Sequence, residues 1–371
     1  MPHPADQITR PPVRFDPSVE RAIPNEEAVH RELIETMRGI TETTSGDYDH
    51  AVRAVHAKSH GLFEGELRVL DGLPPDLAQG LFAQPGTYRA VMRLSTNPGD
   101  ILDDAVSAPR GLAVKLLDVP GERLPDSAEE RTQNFVLVNA PAFAAPDAKA
   151  FLGSLKQLAA TTDKAEWAKK LLSATLRGAE SALEAVGAKS AMLTTMGGQP
   201  LVHPLGDSYY SQTPFRHGDH LGKYALFPVS PNLTDLANDP VGVSGRPDAL
   251  REVVSETMVE QGGAWELRVQ LCTDLDRMPV EDASVEWDEE ESPYRTVARL
   301  VAPPQRAWTP ERARLVDDRL FFSPWHGLAA HRPLGSVNRS RRRAYEMSAD
   351  HRGRFNGCPV REPARLEPLP A

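Results

Sequence analysis

Apolar and polar positions change their period several times along this chain, and each change predicts an element. Residues 26–42 place Val29, Leu33, Ile34, Met37 and Ile40 at helical spacing, which predicts one amphipathic helix. Residues 51–70 begin and end as β-type runs around Ser59-His60-Gly61, with His56 in the first run. Residues 87–96 alternate cleanly, so Arg89 and Arg93 share a strand face with Val91 and Ser95. A turn at 108–111 leads to a strand over 112–117, a polar loop over 118–132, and an apolar strand over 134–143 with Asn139 inside it. The period then turns helical. Phe151, Leu152, Leu155 and Leu158 suit a first helix, and Asp163 with Glu166 opens a second that carries Trp167, Leu171 and Leu172. Strands resume over 203–217 and 222–228, followed by a helix over 247–260 and strands over 264–272 and 294–301. The last element is a helix over 341–352.

Composition narrows what this order can build. The chain has 371 residues, 33 prolines and 26 glycines, more punctuation than a helical bundle tolerates. Residues 1–25 read as an extended arm, 26–357 as one domain with a two-helix insertion at about 145–187, and 358–371 as an irregular tail. A net charge of -10, with no dense basic stretch outside 339–343, disfavours a nucleic-acid partner. The two cysteines, Cys272 and Cys358, give neither a disulfide framework nor a CxxC metal site, as in a reducing compartment. No apolar run could act as a signal peptide or span a bilayer, so the expectation is a soluble cytoplasmic protein with no membrane partner.

The stretch RRRAYEMSADHR carries the sharpest chemistry. On a helix, offsets of four and seven return to one face, so Arg341, Tyr345 and Arg352 form a stripe. A guanidinium one turn from a phenol favours the phenolate, a hard anionic ligand and one of the known axial ligands of heme iron. The competing reading is a surface arginine cluster above a packed tyrosine. For His56 the competing reading is a satisfied core histidine, and for Asn139 a strand-end or bulge asparagine. Two arginines on one strand face need anions, which protein carboxylates or heme propionates would supply. No glycine-rich phosphate loop of the GxGxxG type is present.

Six segments in order resemble the catalase superfamily, and most closely its small heme proteins that lack extra C-terminal domains. Arg53 to Lys58 is similar to the RVVHAK segment that carries the distal histidine, followed by Gly61, Phe63 and Gly65. Met92 to Thr96 resembles VRFST, Pro109 to Lys115 resembles PRGFAVK, and Asn139 to Phe143 resembles NTPIF, with Phe151 ten residues after Pro141. Trp265 to Thr273 resembles the WTFYIQVMT strand, and Arg341, Tyr345 and Arg352 reproduce R-x-x-x-Y-x-x-x-x-x-x-R.

The resemblance implies an α+β fold, a large antiparallel β barrel with surrounding helices, and ferric heme b as cofactor. It implies Tyr345 as the metal ligand with Arg341 behind it. His56 would be the acid–base, Ser95 its orienting partner and Asn139 the distal amide. Arg53, Arg93 and Arg352 would pair with the propionates, and Val55, Phe143 and Phe151 would line the pocket. The substrate would be a small-molecule peroxide, disproportionated or used to oxidise an organic donor. By analogy the N-terminal arm would wrap a partner subunit of a homo-oligomer.

Three points stay open in the sequence. Arg319 to Pro324 resembles RLFAYP and would put Ser323 at the ligand position. The distal amide of the family aligns with Val138 or Asn139 according to where one residue is deleted. A hydroperoxide-rearranging enzyme of the allene oxide synthase kind carries threonine where this chain has Val55, and a non-catalytic heme-binding relative is the remaining alternative.

Overall fold

The computed structural model describes residues 10–159, 200–360, 362–363 and 366–370. Its strands are β1 (Ser59–Val69), β2 (Thr87–Thr96), β3 (Arg110–Leu116), β4 (Gln133–Val138), β5 (Tyr209–Tyr210), β6 (Phe215–His217), β7 (His220–Pro228), β8 (Gly263–Leu271) and β9 (Arg295–Ala302). Eight of them close an antiparallel barrel, and β6 adds a ninth strand against β7. Closure depends on the two-residue β5, where Tyr210 pairs with Val138 on one side and Ala225 on the other. A closed sheet leaves no long unpaired edge.

Strand alternation decides what faces where. On β2, Ala90, Met92 and Leu94 join the barrel core with Phe63, Leu112, Val114, Phe135 and Trp265. The intervening Val91, Arg93 and Ser95 therefore point outward. Their counterparts on β3 are Gly111, Ala113 and Lys115, paired with Ser95, Arg93 and Val91.

Six helices accompany the barrel among the described residues: α1 (Glu26–Tyr48), α2 (Ala148–Ala159), α3 (Pro231–Thr234), α4 (Ala249–Glu260), α5 (Pro310–Arg319) and α6 (Ser336–Phe355). Val29, Leu33, Met37 and Ile40 of α1 bury against Leu152 and Leu155 of α2 and against Ala344 and Met347 of α6. Ala54 joins that cluster, which ties the segment before β1 to the helices.

The structure departs from the expected elements in several places. Helix α1 runs on to Tyr48, past residue 42. Residues 51–58 are irregular, and β1 starts at Ser59, inside the expected break. Strand β4 stops at Val138, so residues 139–143 are not strand. Helix α5 has no counterpart in the sequence reading: only Arg312 and Val316 are buried in it, so it shows no apolar stripe. Its signals are polar, namely Pro310 at the first turn and the Thr309 hydroxyl accepting from the Arg312 amide. The expected second insertion helix, with Trp167 to Leu183, lies outside the described residues. Of the arm, Val13, Phe15 and Val19 pack on the chain's own barrel, against a cluster that includes Leu221, Cys272 and Trp287. No helix among the described residues is long and apolar enough to cross a membrane.

Candidate functional site

A partly open cavity lies outside the barrel wall, between β2–β4, the irregular segment 53–56, α1 and α6. His56 lines it from the barrel side and Tyr345 from α6.

His56 owes its place to local backbone constraints. Its φ is 58°, a left-handed conformation uncommon for a side-chain-bearing residue. Its amide donates to the Asn97 carbonyl at 2.7 Å and the next amide donates to Pro98 at 2.9 Å, which pins the turn. The ring lies over Gly111, where a Cβ would come within 2.5 Å of the imidazole, so only glycine leaves room for it. The Ser95 hydroxyl lies 3.2 Å from Nδ1 and can donate to it or accept from it, so it orients the ring in either tautomer. Burial, then the charges of Arg93, Arg341 and Arg53, push the His56 pKa down to about 3. The ring is a neutral proton acceptor near pH 7.

Tyr345 sits one turn beyond Arg341, and the Arg341 guanidinium donates to its oxygen at 3.0 Å. Arg341 is not part of the wall; it stands behind the phenol and also donates to Asn338 at 3.2 Å. Ser323, the alternative ligand position, is buried outside the wall and accepts from the Trp325 amide at 3.2 Å. Its neighbours Phe321 and Phe322 line the cavity instead.

Three arginines crowd one end. Arg53 donates to the carbonyls of Val316, Asp317 and Leu320 at 3.0–3.3 Å, groups that the end of α5 leaves unpaired. Arg93 donates to the Asp317 carboxylate at 2.6 Å and to the Ala57 carbonyl at 3.2 Å. Arg352 is 2% exposed. Its Nε and Nη2, and Nε of Arg53, have no hydrogen-bond partner. Burial and the charge of Arg93 push Arg352 down to about 10. Burial alone would raise the Asp317 carboxyl, but Arg93 and Arg53 outweigh it and hold it below the usual range. Three guanidiniums draw on Asp317, and Asp318 also acts on Arg53 and Arg352, so this end keeps a positive excess. Orphaned buried N–H groups of this kind fit a ligand with two carboxylates.

Three expected contacts fall elsewhere. Asn139 is not in the wall; its amide oxygen accepts from the Arg110 amide at 2.8 Å and its nitrogen donates to Asp207 at 3.2 Å. Its side chain thereby supports the buried Arg110–Asp207 pair, and Val136 faces the cavity instead. Phe143 and Phe151 pack on each other, ring centroids 5.1 Å apart, away from the cavity wall. Sequence reasoning missed Met37, Phe321, Phe322 and Gly111 as lining residues, and Asp317 as the arginines' counter-ion. Phe321 and Phe322 were within reach, since they lie inside the RLFAYP-like segment; Asp317 was not, because the pattern gave no sign of α5.

No family model matches the chain, and no curated protein matches it. Solved structures do. A bacterial catalase matches at TM-score 0.58 and 17% identity, over 88% of this chain and 63% of its own. A fungal catalase matches at 0.55 and 18%, over 84% and 61%. Catalase A from Saccharomyces cerevisiae matches at 0.55 and 16%, over 86% and 65%. The chain spans less than two thirds of the length of each. At that identity the likeness concerns the backbone: this chain has the catalase fold.

Proposed function

We propose that the chain is a heme-dependent oxidoreductase acting on peroxide, of the catalase or peroxidase type. The observation that carries this reading is that His56 and Tyr345, 289 positions apart, line one cavity whose end holds unpaired buried guanidinium groups.

The residues fit heme b. Tyr345 would hold the iron, with Arg341 supplying positive charge at its oxygen. Arg53, Arg93 and Arg352 would take the two propionates, which carry the negative charge this end lacks. When bound, heme supplies an iron centre that accepts oxygen from a peroxide. The chain's part is proton movement and enclosure. Neutral His56 would accept a proton from one peroxide oxygen and return it to the other, which would leave as water. Ser95 keeps the ring aligned for both transfers. Val136 makes the nearby wall apolar and the Asn139 side chain is held by Arg110 and Asp207, so no Asn139 contact to substrate enters this reading.

The test is an absorption spectrum of protein purified from heme-supplied cells, followed by peroxide addition with oxygen and donor oxidation monitored. The expected result is a heme band and peroxide consumption. His56→Ala should keep the band and lose about 10²–10⁴-fold in rate. Tyr345→Phe should lose most of the heme, and Ser323→Ala should not. A colourless wild type overturns the reading; heme kept by Tyr345→Phe and lost by Ser323→Ala moves the ligand to Ser323.

A further inference from the structure

On the outer face of the barrel, one aromatic ring from the cavity, lies a second buried polar cluster. Lys115 of β3 is fully buried; its ammonium donates to Asn134 at 3.0 Å and bonds the carboxylate of Glu362 from the tail. The Thr132 hydroxyl donates to the same carboxylate at 2.9 Å. Beside them, His326 Nδ1 stands 3.0 Å from Glu362 Oε1 and 3.1 Å from Glu130 Oε2. One ligand atom from each of these three residues lies within 4.8 Å of the other two.

Two facts set this group apart from an ordinary ion-pair network. His326 is 7% exposed. Its Nδ1 and Glu130 Oε2 are buried and close enough to pair as ions, yet neither forms a hydrogen bond of good geometry. The spacing also suits a shared ion. Ligands at about 2.0–2.2 Å from one metal lie roughly 3 Å apart when they subtend about 90°.

We propose that Glu130, His326 and Glu362 bind a divalent transition-metal cation that clips the C-terminal tail to the barrel. One imidazole and two carboxylates form a borderline-to-hard donor set, suited to Zn²⁺ or Mn²⁺. A carboxylate has lone pairs for more than one partner, so Glu362 can ligate the ion while Lys115 and Thr132 hold its remaining positions. The site joins three separate stretches: the loop before β4, the loop between α5 and α6, and the tail. It also bears on the cavity. The His326 ring meets Phe321 edge-on at 4.5 Å, and Phe321 is cavity wall. The proposal does not depend on the heme reading.

The experiment uses full-length protein stripped with a chelator and titrated calorimetrically with Zn²⁺, then with Mn²⁺. Wild type should take up one equivalent with micromolar or tighter affinity and gain thermal stability. Glu130→Gln leaves the Lys115–Glu362 bond in place, so it should fold normally and weaken binding at least tenfold. His326→Ala should abolish binding, with circular dichroism confirming its fold. Tyr345→Phe, run alongside, should bind the ion as wild type does, which separates this proposal from the heme assignment. The proposal is overturned if wild type takes up neither ion, or if Glu130→Gln and His326→Ala bind as tightly as wild type. A melting temperature that ignores both ions and falls as pH rises would also overturn it, marking a proton on His326 as the occupant.

Discussion

Two buried charged clusters touch the same ring. The Arg53 guanidinium lies 5.6 Å and the Lys115 ammonium 5.2 Å from the centre of Phe322. On the Arg53 side, three guanidiniums draw on Asp317 and Asp318 and leave N–H donors unused. On the Lys115 side, the cation has a carboxylate of its own, and the unused atoms are an imidazole nitrogen and a carboxylate oxygen. Burial is expensive for both, because an ion taken out of water must recover its hydration from partners. The imbalance, more than the presence of charge, separates a cluster awaiting an anion from one suited to a cation.

Substitutions can break that contrast. The largest effect is expected for Lys115→Met, which strands Glu362 as a buried carboxylate with its main counter-charge gone. Loss of about 3–5 kcal/mol in denaturant unfolding is expected. Glu362 is held down to about 2 despite burial, with Lys115 the chief cause, so this carboxylate is charged at neutral pH. Asp317→Asn should cost the heme-free protein about 3 kcal/mol, since Arg93 loses its bonded carboxylate and Arg53 and Arg352 lose their nearer counter-charge. Heme binding should restore much of that loss by linkage, and unfolding with and without heme measures the difference. Arg352→Met should do the reverse. It removes an uncompensated buried cation, so the heme-free protein should gain about 1 kcal/mol while heme retention falls about tenfold.

A pH dependence completes the contrast. The folded pKa of His56 is about 3, below the unfolded value of about 6.5. Protonation therefore favours the unfolded chain. The contribution of His56 to stability is complete above about pH 6.5 and declines as pH falls toward 3. Peroxide turnover should accordingly show no acid limb between pH 8 and 5. A limb near 6.5, absent in an unrelated step such as heme binding, would show that the ring is not held neutral.

The strand pattern of β2 was legible to the residue, Thr87 to Thr96, because one face is core and the other is not. The Arg341, Tyr345, Arg352 stripe was legible because helical offsets are fixed by geometry. His56 lines the cavity, but its setting was misread: apolar neighbours suggested a strand where tertiary contacts hold an irregular turn at positive φ. Asn139 shows the limit of motif alignment. Its position follows the pattern, yet Arg110 and Asp207 claim its amide.

What the sequence determined by itself was local and periodic: which positions alternate, which recur at helical offsets, and that an imidazole and a phenol-bearing stripe were worth pairing. Their meeting at one cavity was decided by tertiary structure, through a barrel closed by two residues of β5 and a helix packed across α1. So was the charge excess around Arg352, because whether a guanidinium lacks a partner depends on every element that folds against it. Periodicity is a property of neighbours along the chain, whereas burial and compensation are properties of neighbours in space.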